Sequence, residues 1–202
     1  MNHELESSAL REFLRKETLA FSDSTINWIN SDQFKTFVDF SGNLANLFVA
    51  RTNKVVFFGN GGSAAESSHL AAEFVSKCVR DSGAKPAISL TDNLAVITAI
   101  SNDFGYQNVF VRQVEALCTA GDVVVGMSTS GSSVSVVEAL KRAKALGCRT
   151  SLWTSERHSK TKDLEVDWLI VAPTLSTPRA QEFHLFLGHA LSEFLERQIG
   201  SE

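Results

Sequence analysis

Several features that define other classes of protein are missing from this sequence. No uninterrupted apolar run approaches the length of about 18 residues that a membrane-spanning helix needs, and the polar, acidic first residues predict no signal peptide. The formal net charge is -4 with no long run of one sign, so nothing favours a nucleic-acid partner. The 3 cysteines include no C-x-x-C pair, and we expect buried thiols in a reducing, cytoplasmic compartment.

The most informative stretch is residues 55–79, VVFFGNGGSAAESSHLAAEFVSKCV. Its apolar start predicts a buried strand, GNGGS predicts a turn that favours glycine, and the following apolar residues recur at helical spacing. A strand that leads through a tight turn into a helix leaves unpaired backbone N–H groups and a positive dipole end at the turn. This arrangement predicts a site for a phosphate.

The rest of the chain alternates between strand and helix patterns. This alternation predicts an α/β fold, a mostly parallel sheet with helices on both faces. Ligands of such sheets bind beyond the carboxyl ends of the strands, so the glycine turn and the STSGSS segment at 128–133 are expected at one edge. The predicted strands are 86–90, 122–127, 150–153 and 168–172; the helices are 93–100, 109–119, 134–146 and 178–198; the irregular segments are 101–106 and 155–167.

The first 50 residues precede the first strand. They predict two helices, of which the second, from about Phe34 to Phe48, has the better helical spacing and could be capped by Ser31 or Asp32. Helices this rich in phenylalanine must cover the domain or contact another subunit. We therefore predict an N-terminal helical segment over residues 1–50 that supports oligomerisation, and one α/β domain over residues 51–202.

The serine-rich segment at 128–133 has two interpretations. Its hydroxyls stand beside a helix N-terminus and can donate to phosphate oxygens without adding positive charge, which suits a sugar phosphate that must leave again. Serine and threonine are also ordinary loop and cap residues. The glycine turn at the same edge of the sheet favours the phosphate interpretation.

The glycine turn also matches the dinucleotide fingerprint, as G-x-G-x-x-A over residues 59–64. Asp92, which follows the second strand, could contact a ribose, but it lies further along the chain than the acidic residue of the fingerprint normally does. The charged face of the following helix and the serine segment would have no role in that scheme, so we predict no nucleotide cofactor. A P-loop is excluded, because no Gly-Lys-Ser/Thr follows the glycines.

Ionisable side chains collect on two predicted helices. His69 and Glu73 are four residues apart on one helix face, as metal ligands or an acid–base pair would be, although a solvated contact is the ordinary alternative. His189 and Gln181 on the last helix could complete a zinc site. They are eight residues apart, about 12 Å along a helix, so one ion reaches both only if the side chains lean together or another subunit contributes. His184 alone is expected to pack in the interior.

The chain as a whole resembles a known family. GNGGSAAESSHLAAEF, SNDFG, GDVVVGMSTSGSS and RAQEFHLFLGHAL, in this order, resemble the sugar isomerase (SIS) domain and, more closely, the phosphoheptose isomerases. The resemblance implies a three-layer flavodoxin-like α/β fold and a homotetramer with sites at subunit contacts. It also implies interconversion of sedoheptulose 7-phosphate and D-glycero-D-manno-heptose 7-phosphate, the first step toward nucleotide-activated heptose for surface glycans such as lipopolysaccharide.

The resemblance also implies roles for individual residues. Glu73 matches the catalytic base and His189 its acid/base partner, which act through an enediol. His69, Glu73, Gln181 and His189 match the residues that hold zinc in some members. The predicted substrate-binding positions are Asn60, Gly61, Gly62, Ser63, Asp103, Ser128, Thr129, Ser130, Ser133 and Gln181.

Two positions depart from the family pattern, and two other functions stay open. Ser132 stands where many members have Asn, and Pro178 stands where some have Asp near the sugar. Some SIS relatives are not enzymes and bind a replication initiator protein as tetramers, but they lack the Glu and the second His. The other alternative is an isomerase of another phosphosugar.

Overall fold

The computed structural model describes residues 3–158 and 164–199. Two helices precede a regular alternation of strands and helices, and none of the helices in these ranges has the length and apolar character to cross a membrane. The helices are α1 (His3–Ile29), α2 (Asp32–Ala50), α3 (Gly62–Val75), α4 (Leu94–Phe104), α5 (Val111–Leu117), α6 (Val134–Ala145) and α7 (Thr177–Ile199), with a 3-10 turn at Tyr106–Asn108. The strands are β1 (Val55–Gly59), β2 (Ala87–Ser89), β3 (Val123–Met127), β4 (Arg149–Ser155) and β5 (Trp168–Ala172).

The strands form one parallel sheet in the order β2-β1-β3-β4-β5. This is the order of flavodoxin-like folds, and it confirms the predicted α/β class. β1 and β3 are neighbours, paired from Val55 with Val123 to Gly59 with Met127. Because the two strands end level with each other, the glycine turn after β1 and the serine segment after β3 lie side by side, as predicted.

Helices cover both faces of the sheet, which gives three layers. One core contains buried side chains from α2, α3 and α7, among them Phe40, Phe74 and Leu187. The other contains side chains from α5 and α6, among them Val114 and Leu140. β1 and β3 are buried along their whole length, which explains their uninterrupted apolar sequences.

The two N-terminal helices are attached to the edge of the sheet. The Ser31 side chain accepts a hydrogen bond from the backbone N–H of Gln33 and so caps α2, one of the two caps predicted. Nε1 of Trp28 at the end of α1 donates to the carbonyl of Val171 in β5 at 2.9 Å. The predicted boundary at residue 50 falls between α2 and β1, and the buried face of α2 belongs to the same core as the sheet.

Several local predictions were wrong. The segment 101–106, predicted as a loop, is helical as far as Phe104, because Asn93 caps α4 and its turns continue through the short polar residues to Gly105. α5 is shorter than the predicted helix over 109–119. β4 is longer than predicted, since neighbours on both sides extend its hydrogen-bonded ladder. Cys78 is half-buried rather than buried. Of the segment predicted to be irregular, residues 159–163 lie outside the described ranges.

Candidate active site

The glycine turn joins β1 to α3 and is connected by hydrogen bonds to the first turn of α6 and to the 3-10 turn. Nδ2 of Asn60 donates to Oγ of Ser135 at 2.9 Å, and Oδ1 of Asn60 accepts from the hydroxyl of Tyr106 at 2.7 Å. Gly61 precedes the first turn of α3, and Ser63 is buried within that turn. The N–H groups of Ser63 and Ala64 donate to the carbonyls of Asn60 and Gly61 at 3.1 and 3.0 Å. The N–H of Gly62 at the start of α3, with the positive end of the helix dipole, therefore stands at the carboxyl edge of the sheet, where an anion can bind it.

The serine segment gathers hydroxyls at the start of α6. The Ser128 hydroxyl donates to Oγ of Ser133 at 3.0 Å, and Oγ of Ser130 lies 3.5 Å from Oγ of Ser128. The loop is attached to β4, because Oγ of Ser155 donates to the carbonyl of Thr129 at 2.6 Å. Hydroxyls that bond mainly to one another can turn toward a phosphate, so the geometry suits the predicted phosphate role.

His69, Glu73 and His189 come together at the surface between α3 and α7. Nε2 of His69 lies 2.6 Å from Nε2 of His189 and 3.4 Å from Oε1 of Glu73. The His69 side chain is 47% exposed and that of Glu73 is 19% exposed. Two ring nitrogens at this separation must share a proton or a cation, because two facing lone pairs repel each other.

The donor atoms of this cluster fit a zinc ion. Two imidazole nitrogens and one carboxylate oxygen are a common zinc ligand set, which leaves a fourth position open. The three ligating atoms lie within 4.8 Å of one another. Zinc bonds of about 2 Å at tetrahedral angles separate ligand atoms by about 3.3 Å, so small side-chain rotations would suffice.

The remaining predicted residues lie elsewhere in the chain. The Gln181 amide packs over Gly62 so closely that a Cβ there would collide with it. Gln181 therefore lies beside the glycine turn of its own chain. The rise of about 1.5 Å per residue in α7 places it two helical turns away from His189. Asp103 lies exposed near the end of α4 and accepts a hydrogen bond from Asn102 at 2.8 Å. The roles of both residues stay predictions.

The sequence places Glu66 on the charged face of α3, but it predicted neither a role nor a partner for this residue. Glu66 shares a helix face with Gly62, His69 and Glu73, at spacings of three and four residues, and it is buried against α7. Its partner there is His184, whose expected packing in the interior is confirmed. The helical periodicity of the polar residues in α3 was the available signal for Glu66, although it did not identify the partner.

Comparisons with known proteins define the class first. The family model of the SIS domain matches residues 39–155, which contain both loops and α3. The structure of phosphoheptose isomerase GmhA from Neisseria gonorrhoeae superimposes with a TM-score of 0.82 at 30% identity, covering 93% of this chain and 99% of that chain. The protein is a SIS-domain protein.

Sequence relatives then define the family. The phosphoheptose isomerase of Thermodesulfovibrio yellowstonii is 46% identical over 143 residues, 71% of each chain. That of Aliarcobacter butzleri is 37% identical over 196 residues, 96% of this chain and 99% of the relative, so this similarity includes α7 and His189. The chain belongs to the phosphoheptose isomerase family of SIS-domain isomerases.

Proposed function

We propose that this protein is an aldose–ketose isomerase that converts sedoheptulose 7-phosphate to D-glycero-D-manno-heptose 7-phosphate through an enediol. The product is the starting point for nucleotide-activated heptose, used in surface polysaccharides such as lipopolysaccharide. The observation that carries the proposal is the convergence of Glu73 and His189 with His69, in a chain whose relatives are phosphoheptose isomerases. The free thiols of Cys78, Cys118 and Cys148 support a cytoplasmic location.

Glu73 and His189 divide the proton transfers between them. The Glu73 carboxylate removes the proton from the carbon next to the carbonyl and returns it to the neighbouring carbon. His189 moves a proton between the two substrate oxygens, since an imidazole can donate and accept near neutral pH. A zinc ion held by His69, Glu73 and His189, with Gln181 as the predicted fourth ligand, would supply Lewis-acid polarisation of the carbonyl when bound.

The two loops bind the phosphate, which does not react. The hydroxyls of Ser63, Ser128, Ser130 and Ser133 donate hydrogen bonds to it, together with the N–H of Gly62 at the start of α3. Asn60, Asp103 and Thr129 contact the sugar. Binding energy from the unreactive phosphate holds the reacting carbons in position for Glu73.

The length of the substrate supports a homotetramer with sites at subunit contacts. Gly62 in the phosphate turn and Glu73 are eleven residues apart on α3, about 16 Å along the axis. An extended seven-carbon chain with its phosphate spans about 10 Å. This difference favours a site in which the phosphate loops of one subunit work with the acid–base cluster of another. Exposed apolar residues beside a groove between α2 and α7, among them Val38 and Phe194, supply a surface for assembly.

The two alternative functions are less well supported. Relatives that bind a replication initiator lack the Glu and the second His, whereas this chain has both Glu73 and His189 in one cluster. An isomerase of another phosphosugar would use the same groups, and only an assay with several sugar phosphates separates it from the proposed function.

Glu73→Gln tests the proposal. We expect kcat to fall by about 10²–10⁴-fold, because the amide cannot accept the proton, with little change in substrate affinity. Isomerisation is followed by NMR and affinity by calorimetry, each with and without a chelator. Ser130→Ala is the matched variant of a binding residue, and we expect KM to rise about tenfold with kcat nearly unchanged. Unchanged kcat in Glu73→Gln would remove Glu73 from the mechanism.

A further inference from the structure

Two titratable side chains face each other in the interior between α3 and α7, and the mechanism uses neither. Glu66 is 3% exposed and His184 is 0% exposed. Oε1 of Glu66 lies 3.7 Å from Nδ1 of His184. Within the described ranges, the carboxyl oxygens of Glu66 and Nδ1 of His184 have no hydrogen-bond partner at normal distance. Because such atoms cost about 1–3 kcal/mol each, the pair needs an explanation.

The protonation states of the pair follow from its surroundings. Nε2 of His184 lies 2.9 Å from the carbonyl of Thr154 in β4; a carbonyl only accepts, so Nε2 carries the proton and Nδ1 is an acceptor. Burial raises the pKa of Glu66 to about 8, although the nearby Ser63 hydroxyl acts to lower it, and burial lowers the pKa of His184 to about 4. Near neutral pH both groups are uncharged. A small rotation of Glu66 lets its carboxyl O–H donate to Nδ1.

The pair lies in the middle of a regular series of contacts between two parallel helices. On the N-terminal side of the pair, the two helices meet beside the glycine turn. On its C-terminal side, they meet at the cluster of His69, Glu73 and His189. The successive contacts are Gly62 with Gln181, Glu66 with His184, Leu70 with Gly188 and His69 with His189. Just beyond the end of α3, the backbone N–H of Cys78 donates to Glu196 on α7. A slip of one residue would displace α7 by about 1.5 Å and rotate its side chains by about 100°.

We propose that Glu66 and His184 are positioning residues, which fix the register of α7 against α3 and so hold His189 at its working distance from Glu73. Apolar side chains tolerate small displacements with little loss of contact. A buried carboxyl and a buried imidazole do not, because a displaced pair leaves polar atoms without partners. Buried polar residues are known to select one helix register in this way. The inference rests on the proposed isomerase function.

The test compares variants that keep or remove the polar contact. Glu66→Gln keeps a donor for Nδ1, and we expect kcat within about threefold of the original protein. Glu66→Met has a similar volume without a donor, and we expect kcat to fall by tenfold or more with KM within about twofold, since small misplacement of catalytic groups can reduce rates about 100-fold. Glu66→Met/His184→Leu leaves no polar member of the pair, and only the Thr154 carbonyl loses a donor, so it should fold and show the same loss of kcat.

A second measurement does not depend on activity. In protein labelled with ¹⁵N-histidine and treated with chelator, coupling across the hydrogen bond between His69 and His189 should persist in Glu66→Gln and disappear in Glu66→Met. Ser192→Ala is the control, because it is a buried change on α7 about 12 Å along the helix from His184, and it should alter neither kcat nor the histidine coupling.

Two results would overturn the inference: unchanged kcat and coupling in a folded Glu66→Met or double variant, or equal losses in the Gln and Met variants. Inactive original protein whose histidine coupling responds as expected would refute the proposed function and support the positioning role.

Discussion

Glu66 and His184 give the stability of this protein an unusual dependence on pH. An unfolded Glu66 releases its proton near pH 4.5, whereas the folded protein holds it to about pH 8, so a rise in pH between these values favours unfolding. His184 acts oppositely: its folded pKa of about 4 lies below the usual 6.5, so stability is lost as pH falls through this interval. The two effects oppose each other below pH 6.5, and only that of Glu66 remains above it.

We therefore predict that the free energy of unfolding decreases between pH 6.5 and about pH 8, by at most about 1.4 kcal/mol per pH unit from Glu66. Glu66→Gln should remove most of this slope, because the amide does not titrate. Urea unfolding of both proteins, at one protein concentration with chelator, measures the difference. Parallel pH profiles for the two proteins would show that Glu66 does not titrate as described.

At the scale of elements, α3 and α7 approach each other closely at Gly188. A Cβ on this residue would collide with the side chain of Leu70, which is fully buried and has little space to move. Glycine in a helix interior is normally less favourable than alanine by about 1 kcal/mol. The close approach therefore explains why glycine occupies this position, one residue before His189.

Gly188→Ala should destabilise the protein by about 1–3 kcal/mol, because overpacking outweighs the gain in helix propensity. The double variant Gly188→Ala/Leu70→Ala should lose less unfolding free energy than the sum of the losses in the two single variants. We expect a coupling energy of about 1 kcal/mol or more. Thermal and urea unfolding measure both. Gly42→Ala is the control, since a Cβ there has no neighbour within 4 Å, and it should be neutral or stabilising. Strict additivity would contradict the close contact.

The elements themselves were only partly predictable. The buried strands β1 and β3 were recognisable because their apolar residues are uninterrupted and a turn of small residues follows each. The end of α4 at Phe104 could not be predicted, because Ser101, Asn102 and Asp103 favour turns when they are considered in isolation. The length of β4 depended on pairing with β3 and β5, which no local pattern reports.

At the scale of the whole molecule, the separation of Gly62 and Glu73 along α3, about 16 Å, is longer than an extended substrate of about 10 Å. On the proposed homotetramer, loops of one subunit would work with the cluster of another. A variant that damages only the loops and a variant that damages only the cluster should therefore complement each other in mixed oligomers.

We predict that Glu73→Gln and Ser130→Asp, each nearly inactive alone, regain measurable isomerase activity when they are unfolded and refolded together. The introduced carboxylate repels phosphate in the second variant, and mixed oligomers contain some sites with both native parts. Activity is compared with each variant refolded alone and with the native protein treated identically. Mixed oligomers that form, as shown by differently tagged subunits, and stay inactive would place each complete site within one chain.

The sequence alone determined the α/β class, the two loops at one sheet edge, and the pairing of His69 with Glu73. The first two follow from the order of strand and helix patterns along the chain, and the third follows from helical periodicity within one segment. The tertiary structure decided which residues meet across segments within one chain: His189 with His69, Glu66 with His184, and Gln181 with Gly62. Such contacts depend on the register of α7 against α3. This register is set by packing between segments far apart in the sequence, so the local residue pattern of either helix reports it only weakly.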